Sequence, residues 1–199
     1  MDEETKSVYQ VTDGIIQKLE YQRKQGMNIA ADLANLRNSI GKKLEDADEV
    51  WQLLLDNLPS DFLGARGTAT PEEAAIYNTL QIYAICMQGA SESVLVDEKS
   101  KNSIGESLKA GRDINDSQAL DRRFNAMMTA ASYDELTYHL RHLIKIVKSK
   151  NPMTINFAKL ANDLYWIQKG QQKRVCFSWA TGYYSGKSDE DVKEGTNNE

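Results

Sequence analysis

The 199 residues predict an all-α protein, an N-terminal helical bundle followed by a C-terminal bundle of about four antiparallel helices. Apolar side chains recur every three or four residues through most of the chain, the period of a helix with one buried face. There are only three prolines and twelve glycines, few for a sandwich or barrel that must turn roughly every ten residues. Apolar–polar alternation, the mark of a half-buried strand, is confined to residues 93–96.

The first helix is expected over residues 5–25, where Val8, Val11, Ile15 and Leu19 form the stripe and Gly26 stops it. Asn28 can cap a second helix carrying Leu33, Leu36, Ile40 and Leu44. A third starts near Asp48 with Trp51, Leu54, Leu55 and Leu58, and Pro59 closes it. After a loop at 60–70, Thr70-Pro71-Glu72-Glu73 sets a capping threonine, a first-turn proline and a glutamate three residues after the cap. That helix runs through Tyr77, Leu80, Tyr83, Ala84 and Met87 to Gly89, and residues 90–102 read as a connection between two halves.

In the second half a short helix covers 103–110 and ends at Gly111. The next starts near Asp116 and presents Leu120, Phe124, Met127 and Met128. Ser132 with Glu135 forms a capping box for a helix whose stripe is Leu136, Leu140, Leu143, Ile144 and Val147, and Asn151-Pro152 breaks it. The last stretch, 154–184, carries Phe157, Leu160, Ala161, Leu164, Ile167, Val175 and Trp179, with a break expected near Gly170. The organisation is therefore an N-terminal helical bundle over 1–97, a C-terminal one over 98–184 and a disordered acidic tail over 185–199.

Apolar residues make up 41% and charged residues 27%, which excludes wholesale disorder. No run approaches the ~18 apolar residues of a membrane span, and the first ten residues, MDEETKSVYQ, are acidic where a signal peptide is basic. A cytoplasmic protein with no membrane association is expected. Cys86 and Cys176 stand alone in apolar runs, so both are expected reduced, buried and inert.

The net charge of −5 hides an asymmetry: residues 1–98 hold 8 Lys+Arg against 17 Asp+Glu, whereas 99–174 hold 14 against 7. Between 136 and 188 nine basic residues face one acid, Asp163. A solvated helix face intersperses both signs, so negative charge from outside this segment is expected: the acidic N-terminal half, another subunit or a phosphate backbone. Arg141, Lys145 and Lys148, at i, i+4 and i+7, are expected to line a basic rail opposite the core stripe of their helix. The Lys173-Arg174 and Arg122-Arg123 pairs supplement it, and Arg112 completes the candidate nucleic-acid-binding set. Such contacts give salt-sensitive affinity without base specificity.

Other chemistry finds less support. His139 and His142 are three apart, but no nearby acid or cysteine completes a metal site, and no cofactor is expected. His142 reads as exposed and His139 as flanking the core. Trp51, Trp166, Trp179, Tyr165, Tyr183 and Tyr184 sit at helical spacings that favour packing over base stacking. P-loop, dinucleotide-binding, HExxH, GxSxG, CxxC and Glu-x-x-His patterns are all absent, so catalysis is unsupported.

The C-terminal half carries Ser103-Ile104-Gly105-Glu106-Ser107-Leu108, then Asp121-Arg122-Arg123-Phe124, then His139-Leu140-Arg141-His142-Leu143. Leu160-Ala161-Asn162-Asp163-Leu164-Tyr165 follows, leading to Trp179-Ala180 and Tyr183-Tyr184. In order and spacing this series resembles the CasB family, the small subunit of the type I-E CRISPR surveillance complex known as Cascade. The sequence departs from the family at Glu106 and Cys176, where arginines are common. The resemblance implies a non-enzymatic all-α subunit. Two copies would pack against each other along the inner side of a filament of guide-RNA-binding subunits, with the large subunit as a further partner. There they would hold target DNA paired with the guide RNA and keep the displaced strand in place. The resemblance assigns Arg122, Arg123 and Arg141 to the backbone contacts; Lys145, Lys148, Lys173 and Arg174 rest on the charge pattern. The competing reading is a helical scaffold whose basic half binds an acidic protein.

Overall fold

A computed structural model describes residues 6–64, 67–90, 93–96, 102–112 and 117–185. Helix α1 (Val8–Lys24) opens with a capping box in which Ser7 accepts from the Gln10 N–H and the Gln10 side chain accepts from the Ser7 N–H. Gly26 closes the turn after it with φ 73°, in the left-handed region that favours glycine. Asn28 Oδ1 accepts from the Ala30 N–H at 3.0 Å, but the N-cap of α2 (Ala30–Asn38) is Ile29, with no side-chain cap bond, so Asn28 stands one residue before the capping position expected of it. This helix is shorter than its apolar stripe suggests. The chain turns at Gly41, and Leu44 packs from the single 3-10 turn Leu44–Asp46.

The expected third helix is a 3-10 turn, Asp48–Val50, followed by the brief α3 (Trp51–Leu55). Val50 and Leu54 face the core, whereas Trp51 and Leu55 are exposed. The Trp51 indole N–H donates to the Leu44 carbonyl at 2.8 Å, which holds the ring against the preceding turn.

The N-terminal signal at Thr70 is realised in full: Thr70 Oγ1 accepts from the Glu73 N–H, and the Glu73 carboxylate accepts from the Thr70 N–H at 2.7 Å. The helix it opens, α4 (Pro71–Met87), buries an unbroken run from Thr79 to Cys86. A helix buried all round lies at the centre of a fold, and α4 packs on α1, on α2 and on two helices of the second half.

Those helices belong to the set α5 (Ile104–Lys109), α6 (Gln118–Met128), α7 (Tyr133–Lys150), α8 (Phe157–Trp166) and α9 (Gln172–Tyr184). At the start of α7 the Ser132 hydroxyl accepts from the Glu135 N–H, but Glu135 reaches back to the Ala131 N–H instead of closing the expected box on Ser132. The break expected near Gly170 is a kink between α8 and α9, in which Lys169 leaves helical geometry and Gly170 adopts φ 82°. Leu95 pairs with Ile155 in an isolated parallel bridge, the whole of the strand pairing among the described residues.

Helix α8 packs on both α1 and α4, and one apolar core runs through the two halves. Helices α5 and α9 cross closely because Gly105 faces the backbone of Trp179 and Gly182 faces Ser103 and Glu106. The 97/98 boundary lies outside the described residues, as does the tail beyond Ser185. Cys86 and Cys176 are buried free thiols, and desolvation pushes the Cys86 thiol up to about 12. No helix of the described residues is long and apolar enough to cross a membrane.

Candidate nucleic-acid interface

Helix α7 does not present the expected rail. Leu136, Leu140, Leu143, Ile144 and Val147 are buried as the stripe requires. At 100° per residue, however, Arg141 and Lys148 lie only about 115° and 95° round from the stripe's centre, with Lys145 at about 155°. They flank the stripe, and α4 covers that flank. Arg141 is only 9% exposed and donates through Nη1 to Asn78 Oδ1 at 2.9 Å. Burial pulls its pKa below the ordinary arginine value, with nearby tyrosines and Asp134 opposing the shift. Lys148 donates to the carbonyls of Ile85 and Gln88 at the end of α4, and desolvation lowers its pKa too. Arg37 donates to the Ala84 carbonyl nearby. Two cations thus satisfy the negative end of the central helix. Of the three rail residues only Lys145 is exposed.

Arg112 is also engaged internally. Its Nε and Nη2 donate to the two Asp121 carboxylate oxygens at 2.9 and 3.1 Å, and its guanidinium lies 5.4 and 5.2 Å from the ring centroids of Tyr183 and Tyr184. Asp121 Oδ1 accepts a further bond, at 2.8 Å, from the Tyr183 hydroxyl. The guanidinium holds the Asp121 carboxyl below the usual carboxylate range. On α6, Arg122 and Arg123 point outward, and Arg123 donates to the Ala119 carbonyl of its own helix.

The cations that face solvent together are on α9 and the turn before it. Lys169, Lys173 and Arg174 are exposed, with the Arg174 guanidinium 5.8 Å from the Trp166 ring centroid and Lys169 Nζ 5.9 Å from that of Tyr165. Beyond them on the outer face of α9 stand Phe177 and Tyr184. Tyr184 donates to Asn125 Oδ1, one turn after Arg122 on α6, so Arg122 borders the same surface. The packing expectation holds for Trp179 and Tyr183, which are fully buried; the Trp179 indole N–H donates to Asp163 Oδ2 at 2.8 Å. Trp51, Trp166 and Tyr184 are partly exposed, although Tyr184 packs edge-on against both Phe124 and Tyr183. Phe177 is the residue sequence reasoning missed. It falls about 160° round α9 from the Val175, Trp179 and Tyr183 stripe, which places a phenylalanine on the polar side.

His142 is exposed, and His139 lies 3.8 Å from Glu135. No group of three metal-ligating side chains gathers among the described residues.

Fold and site together define an all-helical protein in which Lys169, Lys173 and Arg174 are exposed with Trp166, Phe177 and Tyr184 along α9 and the turn before it, and Arg122 of α6 borders them. The family model described as CRISPR-associated protein Cse2 matches residues 32–184, and the chain belongs to that family. The matched span contains every motif on which the CasB resemblance rests. Among solved structures, CasB from Thermobifida fusca superposes with TM-score 0.70 at 21% identity, covering 89% of this chain and 98% of that one. A CRISPR-associated protein of the Cse2 family from Thermus thermophilus gives TM-score 0.64 at 20% identity, covering 88% and 98%. CasB of M. ruber gives 0.64 at 22% identity, covering 94% and 96%. These likenesses show a shared all-helical fold. No curated protein sequence matches the chain.

Proposed function

We propose that this chain is a non-enzymatic structural subunit of Cascade, a CRISPR RNA-guided antiviral effector complex. In this reading it steadies the target and displaced strands of the opened DNA loop through backbone contacts. Strand exchange between guide and target is nearly balanced in base-pairing energy, so a modest number of protein–phosphate contacts tips it. The observation that carries the reading is the set Arg122, Lys173 and Arg174. These three are exposed on α6 and α9, and none forms an ion pair with a described residue. Lys145 adds a fourth outward cation on α7. Arg141, Lys148 and Arg112 take a supporting role, fixing the helices that carry these groups.

The partners are the guide-RNA filament subunits, the large subunit, a second copy of this chain, the guide RNA and the target DNA backbone. The acidic N-terminal half suits a basic protein neighbour. The test is charge reversal of Arg122, Lys173 and Arg174 to glutamate in the assembled complex, reading the lifetime of the opened loop against salt. A shortened lifetime with a shallower salt dependence is expected. An unchanged lifetime contradicts the reading and favours a scaffold that grips an acidic protein.

A further inference from the structure

We propose that Phe177 is a base-stacking platform that makes the cationic face of α9 select unpaired nucleic acid over duplex; this rests on the phosphate-binding reading of that face. Phe177 is 76% exposed, the most exposed of the large apolar side chains. A phenyl ring in that position forgoes the burial its apolar area would gain, and its surroundings say what covers it. Lys173 and Arg174 precede it by one helical turn, and α9 contains no acid from Gln172 to Tyr184. Tyr184, 43% exposed, follows seven residues later. That is about 10.5 Å along the axis, on the same face of the helix.

An unpaired strand can splay its bases out of the stack, so it brings phosphates to the cations and free base faces to the rings together. In a duplex the base faces are occupied by their neighbours, and only edges reach the protein. An apolar protein knob would cover the ring but would have to supply carboxylates for Lys173 and Arg174 as well. Trp166 already carries the Arg174 guanidinium near its ring, which leaves Phe177 as the open platform.

The test compares binding of the full chain to a labelled oligothymidine strand, an abasic strand of equal length and a duplex, for the parent protein, Phe177→Ala, Phe177→Trp and the Lys173→Glu/Arg174→Glu pair. Circular dichroism checks the fold of each. The expected result is that Phe177→Ala weakens oligothymidine binding about tenfold. It should leave the abasic strand and the salt slope unchanged, while Phe177→Trp restores affinity. Equal affinity of Phe177→Ala for oligothymidine, with binding still lost in the charge-reversed pair, overturns the stacking and assigns Phe177 to a protein contact while the phosphate reading stands. No binding by the parent chain at low salt overturns the phosphate reading and the stacking with it.

Discussion

Lys148 Nζ, on α7, donates to the Ile85 carbonyl oxygen of α4 at 2.7 Å. A second bond from the same ammonium reaches the Gln88 carbonyl. The residue that looks in sequence like part of a solvent-facing rail therefore closes the C-terminus of the central helix. Removing it should cost stability rather than affinity. Lys148→Met is expected to lower unfolding free energy by about 1–2 kcal/mol in a urea titration. Lys145→Met, which loses no internal bond, should stay within about 0.5 kcal/mol of the parent.

Arg141 gives a sharper contrast. Its guanidinium is buried beside Asn78, whose side-chain oxygen it bonds. Arg141→Glu places a carboxylate there against another acceptor, with no cation to meet it. A loss of about 3 kcal/mol or more is expected, seen as a sharply lowered urea midpoint. A triple reversal of Arg141, Lys145 and Lys148 would thus report on folding before it reports on nucleic acid.

The crossing of α5 and α9 depends on absent side chains. A Cβ built on Gly105 meets the Trp179 carbonyl oxygen at 1.9 Å, a clash that only backbone movement relieves. Gly105→Ala should destabilise the protein by about 2–3 kcal/mol. Gly14, exposed in the middle of α1, has nothing within 4 Å of the same position. There alanine should stabilise by about 0.5–1 kcal/mol. Thermal melts of the two variants should move in opposite directions.

The Arg112–Asp121 pair predicts a pH dependence with a definite sign. Asp121 has a folded pKa below its unfolded value because Arg112 and Tyr183 hold the ionised form. Its contribution is fully present above the ordinary carboxylate pKa of about 3.9 and is lost as pH falls through the depressed folded value. Both side chains are partly exposed, so the contribution is about 1 kcal/mol. Asp121→Asn should remove that part of the acid-side loss when urea midpoints are compared between about pH 6 and pH 3.

Local chemistry was readable from sequence. The caps at Thr70 and Ser132, the stop at Gly26 and the break at Gly170 depend on residues within a few positions of one another, and each appears in the structure. The stripe of α7 was readable for the same reason. The fate of the cations flanking it was not, because periodicity does not say how much of a helix its neighbours cover. A run of uncompensated positive charge looks the same whether phosphate or helix-end carbonyls satisfy it. Here Arg141 and Lys148 found neutral oxygens on α4, more than fifty residues away in sequence. The short α2 and α3 were over-read because Leu44 and Leu58 continue an apolar spacing after each helix has ended. Phe177 was visible as an apolar residue off its stripe, a signal that spacing carries only when the polar face is examined for intruders.

The central claim is that this chain works as a subunit of a guide-RNA complex. The most direct test is to tag it in its source cell, purify it at mild salt and identify what comes with it. Several partner proteins in fixed ratio, together with a short RNA of uniform length, are the predicted result. A lone protein, or partners that carry no RNA, would contradict it.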